Sequence, residues 1–516
     1  MTATAQEYDY IIVGGGTAGC VLAARLSEDS SARVLLLEAG SAEPVDAMSD
    51  PRAWMSLLGG AADWGDVTPT NGFTGAPVAM PRGRALGGSS SINAMSFLRG
   101  HRSSYDAWPR HGAEGWGFED LLPHFQCSEN AVGRDPSVRG IGGPLTVQPP
   151  VEPHPLITAI LDSAVELGYD RGNDLSSGLE VAFGRPDANV IDGVRQSAAD
   201  AYLKPSLGRA NLDVLTDAFV RRVLISRGIC NGVEYSTSPG TAEARCRREV
   251  ILSAGAIGSA QLLMLSGLGP ADHLRSVGVD PVLDLPGVGA NFHDHPLATV
   301  SYSAKRSVPI IEANPTGEGA GFIRSTPSLA GPDLQFVFAS FVIPVPEMPL
   351  PEHGYTIVVS VMQPFSRGSV RLASADPQVL PIIDANYLAD ERDVALMLEG
   401  LRVARRIGNG AALNSWREQE VHPGIGVDDS DVVALRGYLR RSLRCYFHYA
   451  GSCRMGDPRD EMAVVDPQLR VRGIAGLRVA DASIMPSIVS ANTNATVYGI
   501  AERAAALIAK CPHSPC

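Results

Sequence analysis

Lysine is almost missing from this 516-residue chain: only Lys204, Lys305 and Lys510 occur, so nearly all positive charge is arginine and few side chains suit Schiff-base chemistry. Positive charge is itself in the minority. The 43 Lys+Arg stand against 56 Asp+Glu, a formal net charge of −13, which argues against nucleic acid or an anionic membrane as the main partner. Cysteine is sparse too. Cys20, Cys127, Cys230, Cys246, Cys445, Cys453, Cys511 and Cys516 form no CxxC pair and no dense framework, a pattern expected of a reducing, cytoplasmic setting. The closely spaced Cys511 and Cys516 read as a frayed tail rather than a metal site or disulfide. No basic stretch precedes the apolar run from Ile11 to Ala24, which glycines interrupt, so it lacks the form of an export signal. The uncharged run from Val250 to Ala271 is long enough to span a bilayer, yet Gly255, Gly258, Gly267, Gly269 and Pro270 make it a strand, a turn and a packed helix. No membrane contact and no internal repeat are expected.

What is present is enough apolar residue for a large core. At 45% hydrophobic and 19% charged, the chain is globular, and its length suggests two or three domains. The sharpest local signal lies at the N-terminus. Tyr10-Ile11-Ile12-Val13 reads as a buried strand, Gly14-Gly15-Gly16-Thr17-Ala18-Gly19 as a turn, Cys20 to Leu26 as a helix, and Val34 to Leu37 as a second strand ending at Glu38 and Ala39. In this dinucleotide-binding pattern Gly14 allows the tight turn, Gly16 lets a pyrophosphate approach the backbone, and Gly19 lets helix and strand pack closely. The phosphates rest on amides at the helix N-terminus. Glu38 can accept hydrogen bonds from both ribose hydroxyls and would repel a 2′-phosphate, which disfavours NADP. The fingerprint alone does not separate FAD from NAD.

A second cluster, Gly83-Arg84-Ala85-Leu86-Gly87-Gly88-Ser89-Ser90-Ser91-Ile92-Asn93, is rich in amide and hydroxyl donors. It reads either as a surface loop or as a wrap around the remaining polar part of an extended cofactor, and the second suits FAD. This cluster and Gly255-Ala-Ile-Gly-Ser-Ala-Gln-Leu-Leu-Met-Leu-Ser-Gly-Leu-Gly269 resemble the two signatures of the glucose-methanol-choline (GMC) oxidoreductases, with Ala260 standing where the family usually has proline or serine. Similar stretches follow in the family's order at 287–296, 366–372, 448–456 and 477–481. The resemblance implies an α/β fold: a discontinuous Rossmann-like FAD-binding domain of residues 1–142, 196–290 and 440–516, and an α+β substrate domain of 143–195 and 291–439 with an antiparallel sheet. Alternation over Tyr355–Val361 fits a strand there.

The resemblance also implies site residues. FAD would meet Gly14, Gly16, Thr17, Ala18, Gly19, Glu38, Ala39, Arg84, Gly87, Gly88 and Ser89. Asn93 would lie near the isoalloxazine, the Val220 backbone near the adenine, and Asp481 and Ala482 near the ribityl and pyrophosphate, with Ala94, Ala254, Gly255, Asn492 and Thr493 completing the set. Ile92 stands where some relatives have a histidine bonded to the flavin, so the FAD is expected to be non-covalent. Oxidising an alcohol needs a base for the hydroxyl proton while hydride leaves the carbon, work suited to an imidazole. His448 occupies the family's active-site histidine position and Asn492 its second active-site position; Asn492 also reads as the N-cap of a helix over 495–509. Tyr449 stands where many relatives have proline. His293-Asp294-His295 raises the question of zinc, but no third ligand group lies nearby in sequence, and a loop at the flavin domain's edge is the favoured reading, with no metal. The expected substrate is a small primary alcohol, of benzyl, furfuryl or pyridoxine type, with O2 or another electron acceptor; a choline-type or aliphatic alcohol is the alternative. A cyanohydrin lyase with structural FAD, or a flavin-binding protein without catalysis, are the readings of other classes. Oligomeric state stays open.

Overall fold

Apolar residues run from Tyr10 to Val13, and in the computed structural model they end the strand Glu7–Val13, buried everywhere but at Glu7. The structure describes residues 7–150, 152–238, 240–311, 314 and 317–510. The Cys511–Cys516 tail lies outside them. Glu7–Val13 runs parallel to Val34–Leu37 on one side and to Gly240–Leu252 on the other, as expected for strands buried on both faces. Leu212–Leu215 extends the parallel run beyond Val34–Leu37. The long strand Gly240–Leu252 splits its pairing. Its last residues pair in parallel with Leu477–Val479, and its first half pairs antiparallel with Ile229–Thr237, which in turn pairs with Phe219–Ser226. Three distant stretches of chain thus build one seven-stranded sheet.

The helix Thr17–Leu26 covers this sheet, and the C-terminal helix Thr493–Lys510 packs against that helix. Ile11, Ile12, Val21 and Leu22 are fully buried between them, each contributing about 1.5–3 kcal/mol of apolar transfer. The run from Val250 to Ala271 resolves into the end of a strand, the turn Ser253–Ala254, the helix Gly255–Leu265 and the short strand Leu268–Gly269. Among the described residues no helix is long and apolar enough to cross a membrane.

A second sheet of eight strands runs in the order Arg417–His422, Pro296–Ala304, Gly354–Val361, Leu334–Ala339, Gly319–Ile323, Phe183–Gly184 and Arg171–Gly172, with Arg444–Cys445 also paired to Pro296–Ala304. All pairs but the last, Arg171–Gly172 with Phe183–Gly184, are antiparallel. The alternation over 355–361 does become a strand, but both its faces are buried. Two of its polar residues are satisfied internally: Thr356 meets the Ser301 hydroxyl at 2.9 Å, and Ser360 donates to the Pro296 carbonyl at 2.9 Å. One face is covered by the helix Glu391–Gly408, started by the Asp390 cap on the Arg392 amide, with Val394, Met397, Leu401 and Ala404 on its buried stripe. Arg444–Cys445 brings the chain to the seam between the sheets three residues before His448.

Candidate active site

The turn after Glu7–Val13 shows why glycine spacing matters. Gly14 sits at φ 99°, and a Cβ there would lie 2.7 Å from the Ser253 carbonyl oxygen. A Cβ on Gly19 would fall 1.9 Å from the Gly14 oxygen, so helix and strand touch through backbone alone. Gly16 is different: its nearest neighbour on that side is the Gly88 Cα at 3.9 Å, and both glycines face a cavity of about 360 Å³. The two glycine-rich loops are tied together by the Gly87 amide, which donates to the Gly15 carbonyl at 2.7 Å. Glu38 accepts from the Gly15 amide through one carboxylate oxygen and from the Gly40 amide through the other, each at 2.7 Å. Burial raises its pKa, while those amides and the arginines Arg84 and Arg82 oppose the rise. Each oxygen keeps a lone pair for a further donor.

One cavity gathers most of the residues expected at a cofactor. Gly14, Gly16, Thr17, Ala18, Glu38, Ala39, Gly88, Ser89, Asn93, Ala94, Val220, Ala254, Gly255, Asp481, Ala482, Asn492 and Thr493 line it. Gly19, Arg84 and Gly87 do not: Gly19 is in the helix Thr17–Leu26, packed against the Gly14 carbonyl, Arg84 stacks over Trp64 at 5.0 Å, and Gly87 joins the loops. Asp481 is spoken for by protein donors, accepting from the Gly255 amide, the Ser259 hydroxyl and the Ser483 amide. A cavity with open glycine backbone and amide-held acids in its lining fits the polar chain of FAD. Ile92 lines it with an aliphatic side chain.

His448 and Asn492 line the same cavity. His448 follows Phe447, whose φ of 66° is uncommon for a bulky residue. That loop is held by Asp294: one carboxylate oxygen accepts from the His448 amide at 2.7 Å, and the other from the Tyr446 amide at 3.2 Å and the Tyr387 hydroxyl at 2.6 Å. His448 Nδ1 lies 2.8 Å from His295 Nδ1. Burial first, and His295 second, push the His448 pKa well below the ordinary 6.5, which keeps the ring neutral and able to accept a proton. Asn492 precedes the helix Thr493–Lys510; its Oδ1 accepts from Gln335 Nε2 at 3.1 Å, and its side chain also hydrogen-bonds Tyr446 beside the cavity.

The His293-Asp294-His295 segment is a loop leading into the strand Pro296–Ala304, but a buried one. All three side chains are buried at the seam, His293 against the Asn291 carbonyl and His295 against His448. Its burial is not legible locally, because it depends on a partner 153 residues away. Tyr449 half-buries beside the cavity, its hydroxyl donating to the Pro81 carbonyl at 3.2 Å and its ring stacking on Phe292. Sequence reasoning missed the apolar wall formed by Leu297, Val337, Phe341, Ile343 and Val358, together with Trp54 and Tyr446. Val337 and Ala339 share one face of the strand Leu334–Ala339, a period-two signal that marks a face without saying that it opens on a cavity, and Phe341 and Ile343 lie past the strand's end, where no such signal applies.

A Rossmann-type sheet whose nucleotide turn opens on a cavity ending at a buried neutral imidazole defines a flavin-dependent alcohol oxidoreductase. The N- and C-terminal profiles of GMC oxidoreductase match residues 8–297 and 364–501, and the chain belongs to this family. It is similar to the mitochondrial choline dehydrogenase of Homo sapiens, with 40% identity over 98% of this chain and 90% of the relative. It is also similar to the oxygen-dependent choline dehydrogenase of Brucella canis, with 36% identity over 97% of this chain and 95% of the relative. Among solved structures, pyridoxine 4-oxidase from Mesorbium loti superposes with a TM-score of 0.93 and 36% identity, covering 98% of this chain and all of that one. The chain is an FAD-dependent enzyme that oxidises an alcohol and passes the electrons to an acceptor.

Proposed function

We propose that the substrate is a neutral primary alcohol carrying an aromatic or heteroaromatic ring, of benzyl, furfuryl or pyridoxine type, oxidised to the aldehyde. The observation that carries this reading is the charge of the cavity wall. Among the described residues its only acids are Glu38 and Asp481, both held by backbone amides at the flavin end, while the wall near His448 is apolar and aromatic. A quaternary ammonium there would meet Trp54 and Tyr446 but no free carboxylate, so it would be desolvated without a counter-charge. The name of one relative, pyridoxine 4-oxidase, supports a ring-bearing alcohol; the names of others support choline.

FAD would be held by the glycine turns, Glu38 and the Val220 backbone, and it supplies the two-electron acceptor for the hydride that leaves the carbinol carbon. His448 Nε2 takes the hydroxyl proton, and the Asn492 amide donates to the same oxygen and orients it. The apolar wall excludes water and holds the ring. Ile92 offers no atom for a bond to the flavin, so denaturation releases FAD. The chain divides into a flavin part, 1–142, 196–290 and 440–516, and a substrate part, 143–195 and 291–439, with Arg444–Cys445 crossing between them.

The test mixes holoenzyme anaerobically with benzyl alcohol, pyridoxine or choline, follows flavin bleaching by stopped flow, then admits O2 and assays peroxide. Faster bleaching per unit concentration by the ring-bearing alcohols is expected. Preferential bleaching by choline would overturn the substrate assignment.

A further inference from the structure

We propose that His295 is a positioning residue that fixes the tautomer of His448, so that His448 Nε2 faces the alcohol as an unprotonated acceptor. The inference rests on the reading of His448 as the base. It follows from the partners at each nitrogen. His295 Nε2 lies 3.1 Å from the Met362 carbonyl oxygen, which can only accept, so this nitrogen carries the hydrogen. A neutral imidazole then has its lone pair on Nδ1. That lone pair is 2.8 Å from His448 Nδ1, which must therefore be the donor. The single hydrogen of neutral His448 is thus on Nδ1, and its Nε2 has no hydrogen-bond partner among the described residues while the side chain lines the cavity.

The neutral state of the supporting ring is secured by burial, which pushes the His295 pKa down to about 3 against the opposing pull of the Met362 and Val489 carbonyls. Two consecutive residues therefore hold the base by different handles. Asp294 holds its main chain, across the unusual backbone of Phe447, and His295 holds its ring. When His448 Nε2 takes the alcohol proton, its Nδ1–H to His295 becomes a charge-assisted bond, stabilising the imidazolium as it forms. Without an acceptor at that place the ring is free to carry its hydrogen on Nε2, a form that cannot take the proton. The role parallels that of a carboxylate that orients a catalytic imidazole, here filled by a second, neutral imidazole.

The test uses holoenzyme labelled with 15N-histidine, the His448 resonances being those lost in His448→Gln. The wild type should show His448 protonated on Nδ1 and bare on Nε2. In His295→Leu the hydrogen should move to Nε2, and flavin reduction should slow by about 10²-fold or more while the alcohol Kd changes less than about threefold. In His295→Asn, whose amide oxygen can stand near the place of the lost Nδ1, the tautomer should persist and the rate recover to within about tenfold of wild type. A wild-type His448 protonated on Nε2 would overturn the proposal, as would an unchanged tautomer in His295→Leu or equal rate losses in both variants. If His295→Leu does not fold, the wild-type tautomer and His295→Asn decide. Undiminished flavin reduction by His448→Gln would instead refute the base assignment, leaving the tautomer measurement to judge His295 separately.

Discussion

Around the two glycine turns the cavity lining is largely main chain, with an acid fixed by two amides, whereas around His448 it is side chains delivered from strands and loops far apart in sequence. The first kind of site is contiguous. Gly14, Gly16, Gly19 and Glu38 fall within one strand-turn-helix-strand unit, and each glycine's task can be read from its spacing. The second kind is assembled by the tertiary fold. His448 comes from a loop after a two-residue strand, Asn492 from the start of the last helix, and the wall from the second sheet.

That contrast predicts different failures at the two ends. The largest effect is expected from Gly19→Ala: its methyl would press on the Gly14 oxygen, a backbone atom that cannot step aside. The variant should lose its flavin, measured as the ratio of visible to protein absorbance. A yellow, stoichiometric holoenzyme would break the claim that backbone contact builds this end. Next comes Glu38→Gln. Its amide NH2 would face one of the two glycine amides, leaving a buried donor unpaired at a cost of about 1–3 kcal/mol, so FAD affinity should fall by roughly five- to 150-fold. Titration of apoenzyme with FAD checks it.

At the substrate end a wall residue should act on binding and not on chemistry. Phe341→Ala should weaken a benzyl-type alcohol by about tenfold in Kd while leaving the limiting rate of flavin reduction unchanged. An equal fall in that rate would mean the ring also sets the reacting geometry. The smallest effect concerns pH. Because the pKa of His448 is pushed below 6.5, its neutral form is complete at neutral pH and persists as pH falls through that value. Flavin reduction should therefore stay level through pH 6.5, decline only at lower pH as His448 protonates, and gain nothing at higher pH. A midpoint at or above 6.5 would contradict the burial argument.

The same contrast explains how much was legible in the sequence. The nucleotide turn, its two strands and Glu38 were readable because their signals are local. His448 and Asn492 were reached through resemblance to family motifs, since nothing in their spacing brings them to one cavity. In sequence His295 reads only as half of an H-x-H pair; its neighbour is 153 residues away, and no local pattern encodes that contact. Phe336 and Phe338 alternate with Val337 and Ala339 as a strand requires, yet both faces are covered, so periodicity could not say which one meets a substrate. Arg444–Cys445 joins the second sheet although its surroundings resemble the flavin part, because two residues carry no periodic signal.

The claim at the centre of this account is that the flavin end holds the cofactor and His448 performs the proton chemistry. Anaerobic flavin reduction in His448→Ala tests both halves at once. The account predicts stoichiometric FAD with reduction by a benzyl-type alcohol slowed about 10²- to 10⁴-fold; bleaching near the wild-type rate would contradict it.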